Sequence, residues 1–377
     1  MSERGNAILR WADRYVGIPL TALAAAFRRL DPLPGRVSAQ RVAAIVDRPK
    51  VGIFCPGALG DAVLLSALAC GIRQEAPGAT VDFIGSSANA AVLPLLPHVR
   101  GVAFPVARVG AIVGYARRQR YDVFIDASQW ARIGAIVAGL SGARCAVGFA
   151  TPGQWRSLPY DLRVPHRRDC HELENFLALG RIIWPGLDGR PQLYASCFWP
   201  TVSVAKTIFC HMWPAPGPGR ALKQWPASHW AELISRLVAD GYEVALTGSE
   251  ADAPCNQAFL DMYFADCDSV RSVAGSVGLD ALAGGFGRCA AVISVNTGIM
   301  HLAAAAGAPT VGLHGATNPM RWGPVGDNAI SLLPERGERA YLHLGFEYPK
   351  GAKPVMGNLP VAAVLAALHR LGVRFPG

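Results

Sequence analysis

The chain has 377 residues, of which 51% are hydrophobic and 17% charged. That is too long for one ordinary core and too apolar for a disordered majority, so two domains are expected. Nine cysteines, at 55, 70, 145, 170, 197, 210, 255, 267 and 289, show no Cys-x-x-Cys spacing, which excludes a disulfide frame or zinc site and points to reduced, structural thiols in a cytoplasmic protein.

The net charge of +9 is concentrated at the start, where residues 1–50 hold nine Arg or Lys against four acids. A basic N-terminus suits an anionic partner. The few aromatics there (Trp11, Tyr15 and Phe27) make a poor base-stacking platform, so a membrane surface is expected and nucleic acid is not. Residues 15–27 form an uncharged run fenced by Arg14 and by Arg28-Arg29. It is too short to span a bilayer and lacks the order of regions of a secretory signal. Leu20, Leu23, Ala24, Phe27 and Leu30 recur at helical spacing, with Pro19 suited to a first turn. The spacing predicts an amphipathic helix in residues 1–35, either in a membrane interface or docked on the protein body.

From residue 50 the pattern becomes alternating. Strands are expected at 50–55, 81–84, 102–104, 121–126 and 145–148, with helices at 61–74, 88–96 and 133–140 between them. Residues 185–200, rich in Pro and Gly and without periodicity, suit a linker. The grammar then repeats, with strands at 206–212, 242–247, 270–274, 291–295 and 309–313. Helices are expected at 227–240 (Ser228 as N-cap), 254–264, 279–286, 299–306 and 361–371. The fold class is α/β, two doubly wound Rossmann-like domains facing a cleft. The expected division is an N-terminal extension (1–48), a first domain (49–185), a linker (186–200), a second domain (201–360) and a C-terminal helix (361–377). Ligands in such sheets sit outside the carboxyl ends of the strands, which directs attention to the strand-to-helix turns.

Four turns carry candidate chemistry. In Cys55-Pro-Gly-Ala-Leu-Gly60-Asp61 the glycines let the backbone bend and approach a ligand. It matches neither a dinucleotide loop nor a P-loop. Asp61 is open to two readings, a helix cap or a general base for an acceptor hydroxyl. In Asn296-Thr297-Gly298-Ile-Met-His301 the first backbone N–H groups of a helix make an anion site suited to a diphosphate, within reach of His301. Lys223 in Lys-Gln-Trp-Pro is either a phosphate partner or a solvated lysine. Glu250 or Asp252, after Thr247-Gly248, could accept hydrogen bonds from a ribose. Asp266-Cys-Asp268 has a metal-like spacing but stands alone and reads as a loop, so no metal site is expected.

Together these segments resemble glycosyltransferase family 9, the bacterial heptosyltransferases of the lipopolysaccharide inner core. The resemblance is carried by 57–65, 120–126, 140–149, 171–175, 223–226, 246–248, 297–309 and 317–324. It implies a GT-B fold and inverting, metal-independent transfer from a nucleotide sugar, ADP-heptose first, with no cofactor, to a lipid-linked saccharide. It implies Asp61 as base and Gly60, Lys223, Asn296, Thr297, Gly298 and His301 around the donor, with Glu250 or Asp252 at the ribose. It also implies a cytoplasmic enzyme, peripheral on the inner membrane. Two departures stand out: Asn296 where the family commonly has Asp, and the long turn 213–219. The competing readings are a nucleotide-sugar epimerase and a non-catalytic membrane-surface binding protein.

Overall fold

A computed structural model describes residues 7–31, 48–195, 204–217, 219–344 and 347–375. The rest of the expected extension (1–6 and 32–47), residues 196–200 of the expected linker and Cys197 lie outside the described residues. The chain divides into two compact domains, with the boundary between Gln192 and Leu193.

The first domain is built on a six-stranded parallel sheet. Its strands are β1 (Lys50–Phe54), β2 (Thr80–Ser86), β3 (Val99–Phe104), β4 (Val123–Asp126), β5 (Cys145–Ala150) and β6 (Leu162–Pro165), ordered β3-β2-β1-β4-β5-β6. The central strands are buried along their length, as a sheet covered on both faces requires. The helix Leu59–Glu75 after β1 is buried from Gly60 to Ile72, which explains why it is apolar on every side. Chain order reverses between β1 and β4, which lie side by side with Phe54 opposite Asp126. The turns leaving these two strands therefore start level with each other at the sheet's switch point.

The second domain repeats the plan with β7 (Thr207–His211), β8 (Glu243–Leu246), β9 (Val270–Ser272), β10 (Ala291–Val295), β11 (Thr310–Leu313) and β12 (Ala329–Leu332). The order is β12-β11-β10-β7-β8-β9, all parallel. Here the reversal falls between β7 and β10, where His211 pairs with Ser294. Trp225 and Trp230 meet edge to face, with centroids 4.9 Å apart, in the core. Trp225 Nε1 donates to the Leu359 carbonyl (2.9 Å). That bond and the buried Val361, Val364 and Leu368 bring the helix Val361–Arg370 into this core.

Several expected elements differ. The segment at 88–96 is a 3-10 run, Ala90–Leu95, because Pro94 removes a donor that an α-helix needs. Pro226, not Ser228, occupies the N-cap position of the helix Ala227–Ala239. The third strand starts three residues earlier than expected, at Val99. Helices Val109–Gln119 and Glu172–Arg181 and the edge strands β6 and β12 are additions. The strands at the sheet edges are half exposed and mix polar with apolar residues, so neither shows the run that marks a central strand.

At the N-terminus two helices, α1 (Ala7–Tyr15) and α2 (Gly17–Leu30), dock on the first domain. Ala24 lies against Gly139 of the helix Ile133–Leu140, where even a Cβ at Gly139 would stand 3.0 Å from that of Ala24. Ion pairs Asp13–Arg132, Arg28–Asp161 and Asp31–Arg117 fasten both helices. Of the two dispositions expected for this segment, docking describes one face of it. No helix among the described residues is long and apolar enough to cross a membrane.

Candidate active site

In the first domain, Asp61 is the third residue of the helix Leu59–Glu75, with Ala58 at the N-cap. Its carboxylate turns back over the glycine turn, so that a Cβ on Gly57 would stand 2.4 Å from Oδ2. Oδ2 accepts the Ala58 backbone N–H (2.8 Å), and Oδ1 accepts Gln129 Nε2 (3.0 Å). Asp61 therefore caps its helix from within the first turn, and it is also gripped from across the switch point by the turn that follows β4. A carboxylate oxygen can accept from more than one donor. Gly60 is buried beside it.

Gln129 owes its position to a buried network at the end of β4. Asp126 Oδ2 accepts Arg156 Nη2 (2.7 Å) and the Tyr160 hydroxyl (2.5 Å). Oδ1 accepts the Ser128 N–H (2.9 Å) and hydroxyl (2.5 Å). Asp126 and Arg156 are both fully buried. Gly134 makes room for this network, because a Cβ there would lie 2.1 Å from Asp126 Oδ1. The loop from 127 to 132 is thereby held at its start by Asp126 and at its end by Arg132, which binds Asp13.

In the second domain the candidate residues cluster on three neighbouring strand ends, those of β7, β8 and β10. Thr297 is the N-cap of the helix Gly298–Ala305 and leaves its side chain outside the cap. The first N–H groups of that helix have no intrahelical partners and point outward beyond β10. His301 is buried on the helix's first turn. Asn296 Nδ2 donates to the Trp322 carbonyl (3.1 Å), a bond that an aspartate could not make. This accounts for the amide at a position where the related pattern carries an acid. Lys223 ends the short helix Arg220–Lys223, half exposed, at the close of the long turn after β7. That turn depends on Gly219 (φ 79°), whose missing Cβ would overlap the Tyr348 ring.

The two candidate acids differ. Asp252 Oδ2 is occupied by the Ser249 N–H (2.9 Å) and hydroxyl (2.7 Å), so it shapes the turn after β8. Glu250 extends from that turn into solvent.

This geometry makes the comparison with known proteins informative. The model of glycosyltransferase family 9 (heptosyltransferase) matches residues 112–345. Lipooligosaccharide heptosyltransferase 2 of Haemophilus influenzae is 32% identical over 314 residues, 76% of this chain and 89% of that protein. The chain belongs to glycosyltransferase family 9. A solved structure of the Escherichia coli ADP-heptose LPS heptosyltransferase II, 24% identical, shares the fold with a TM-score of 0.67 over 85% of this chain and 98% of that one. E. coli heptosyltransferase WaaC with ADP, 19% identical, gives 0.66 over 85% and 99%. The fold is thus the GT-B type and the protein is a glycosyltransferase.

Within this family-9 chain the sequence did not single out Gln129, Asp126, Arg156 or His211. His211 ends β7 at the second switch point, and its Nδ1 lies 3.0 Å from Thr247 Oγ1. Burial pushes its pKa down from the usual 6.5 to about 4, opposed in part by the Asp252 carboxylate, so the ring is neutral at pH 7. The unfolded chain takes up a proton below about pH 6.5, and the folded one does so only near 4. Stability is therefore expected to fall with acidification through that window, by about 3 kcal/mol in all. Urea unfolding of His211→Asn between pH 6.5 and 4.5 should show a flatter slope. An unchanged slope would assign the acid sensitivity elsewhere.

Proposed function

We propose that this chain is an inverting, metal-independent heptosyltransferase that moves a heptose or related sugar from a nucleotide sugar, ADP-heptose first, to a lipopolysaccharide-type acceptor. It would work as a cytoplasmic enzyme peripheral to the inner membrane. The observation that carries the reading is Asp61, held by Ala58 and by Gln129 at the switch point of the first sheet. A carboxylate fixed there can take the proton of an acceptor hydroxyl while retaining its place. The E. coli proteins that share the fold, an ADP-heptose LPS heptosyltransferase II and heptosyltransferase WaaC with ADP, support the donor.

In this mechanism the acceptor oxygen forms a bond to the anomeric carbon as its proton passes to Asp61. The bond from that carbon to the diphosphate breaks on the opposite side, which inverts the centre, and the electron pair leaves with the phosphate oxygen. Lys223 and the N–H groups at Thr297 and Gly298 would stabilise the departing charge, the service that a cation provides in metal-dependent transferases. His301 would line that site. Of the two acids, Glu250 is the better ribose partner, because both Ser249 donors already engage Asp252.

The test is nucleoside diphosphate release from a panel of nucleotide sugars, with and without a lipid-linked core saccharide. Acceptor-dependent release supports transfer. Acceptor-independent conversion of the donor sugar would mark an epimerase, and donor binding without turnover would mark a binding protein. Glu250→Gln should weaken ADP binding about tenfold in a thermal-shift titration, the loss of roughly one charge-assisted hydrogen bond. Asp252→Asn should chiefly cost about 1 kcal/mol of stability. The reverse pattern would exchange the two roles.

A further inference from the structure

Helix α2 carries two apolar surfaces, and among the described residues only one is packed. Gly17, Thr21, Ala24, Ala25 and Arg28 are buried against the first domain. Val16, Leu20, Leu23, Phe27 and Leu30 recur every three or four residues on the outside, with Leu23 65% and Leu30 82% exposed. Trp11 and Tyr15 of α1 extend this stripe, their rings 5.3 Å apart. These seven are among only twelve large apolar side chains exposed in the described residues. So dense a cluster in twenty residues marks an interaction surface.

Charge is sorted across the same two helices. Both acids, Asp13 and Asp31, turn to the body and are spent on Arg132 and Arg117. Arg14 and Arg29 are exposed and form no ion pair among the described residues. Arg14 lies over the Tyr15 ring (5.9 Å) and Arg117 over that of Phe27 (5.6 Å), which places cation and ring at one level. An apolar stripe beside unneutralised arginines complements an anionic lipid layer, with the side chains among the acyl chains and the guanidinium groups at the phosphates. A second copy of the same face would set arginine against arginine.

Trp155 belongs to this side of the molecule. It is 64% exposed although its φ of 57° is costly for a bulky residue, a strain more often kept for use than for packing. It follows Gln154, whose carbonyl accepts Arg132 Nε (2.8 Å), and the same Arg132 holds Asp13 of α1. Arg132 is also three residues from Gln129, the partner of Asp61.

The geometry points to the outer face of α1 and α2, with Trp155 at its margin, as a docking surface for an anionic bilayer, joined through Arg132 to the loop beside Asp61. This deepens the peripheral attachment of the proposed function by giving it a surface. The surface stands by itself; only its service to a lipid-linked acceptor rests on the transferase reading.

The full chain should co-sediment with phosphatidylcholine vesicles containing about one-third phosphatidylglycerol, release as salt rises, and bind pure phosphatidylcholine weakly. Leu23→Glu with Phe27→Glu should weaken partitioning at least about tenfold. Arg14→Glu with Arg29→Glu should do the same and abolish the preference for anionic lipid. All four side chains point outward, so far-ultraviolet dichroism and activity on a delipidated, soluble acceptor should stay at wild-type levels, while transfer to vesicle-embedded acceptor falls. Wild-type protein left in the supernatant, or variants that pellet like wild type, would overturn the proposal. So would a wild-type dimer that Leu23→Glu with Phe27→Glu converts to monomer without changing vesicle binding. A wild type that binds vesicles but transfers nothing to either acceptor refutes the transferase reading and leaves the surface standing.

Discussion

Asp61→Asn is expected to fold like the wild type and to lose transfer by about 10²–10⁴-fold, the usual worth of a general base. The substitution is close to isosteric. The new amide oxygen can accept the Ala58 N–H that Oδ2 accepts now, and its nitrogen can face Gln129, whose own amide need only rotate to present its oxygen. What disappears is the negative charge at a helix N-terminus, worth about 0.3–1 kcal/mol of stability, and the basicity. Nucleoside diphosphate release at saturating donor should fall while the donor's thermal-shift affinity stays near wild type. If release persists at wild-type rate, Asp61 is a cap and nothing more. Gln129→Leu gives the companion result: a carboxylate still basic but freed on one side should lose activity by a smaller factor, about tenfold, as misplacement of a catalytic group does.

These two residues mark what the sequence discloses and what it hides. Asp61 is legible because it closes a glycine-bearing turn directly after an apolar strand. Gln129 is 68 residues away and uncharged. Only strand order brings it there, and strand order is a non-local property that no periodicity records. The same holds in the second domain. Thr297 and Gly298 stand out as candidates because a strand running into a helix marks a place where an anion could bind. His211 is not, because a histidine ending a strand acquires meaning only once β7 is known to sit between β8 and β10. The difference between Glu250 and Asp252 likewise lies in the hydrogen bonds of Ser249, which engage Asp252.

The fold was readable where burial is uniform. Central strands β1, β4, β7 and β10 are apolar runs because both faces are covered. Elements with one wet side were harder. The helix Val109–Gln119 buries only Ile112 and Ala116 and ends in Arg117 and Arg118, so its apolar stripe is thin. The N-terminal helix was legible as a helix and ambiguous in its partner, for a physical reason: its small residues and its large ones lie on adjoining faces. The first set packs on the body, and the second does not.

Removing the Asp126 carboxylate is expected to have the largest effect on stability. Arg156 is fully buried, and two of its three guanidinium nitrogens, Nε and Nη1, have no hydrogen-bond partner among the described residues. Asp126 is the acid that compensates its charge. Asp126→Ala would leave that charge in the interior together with a Tyr160 hydroxyl that has lost its acceptor, a loss of about 3–5 kcal/mol. For a domain of this size the first-domain transition should fall by roughly 10 °C. The loop that carries Gln129 begins at Asp126, so transfer should fail even at temperatures where the variant is folded. Arg156→Leu in the same chain removes the orphaned charge and should restore much of the stability, because a buried ion pair costs nearly as much to desolvate as it returns. It should not restore turnover, since Ser128 still lacks the carboxylate that fixes the loop. A double variant as unstable as Asp126→Ala would mean that the network's hydrogen bonds, and not its buried charge, hold this part of the domain together. A double variant that recovered both stability and turnover would show that Asp126 contributes to the core alone and that the Gln129 loop keeps its place without it.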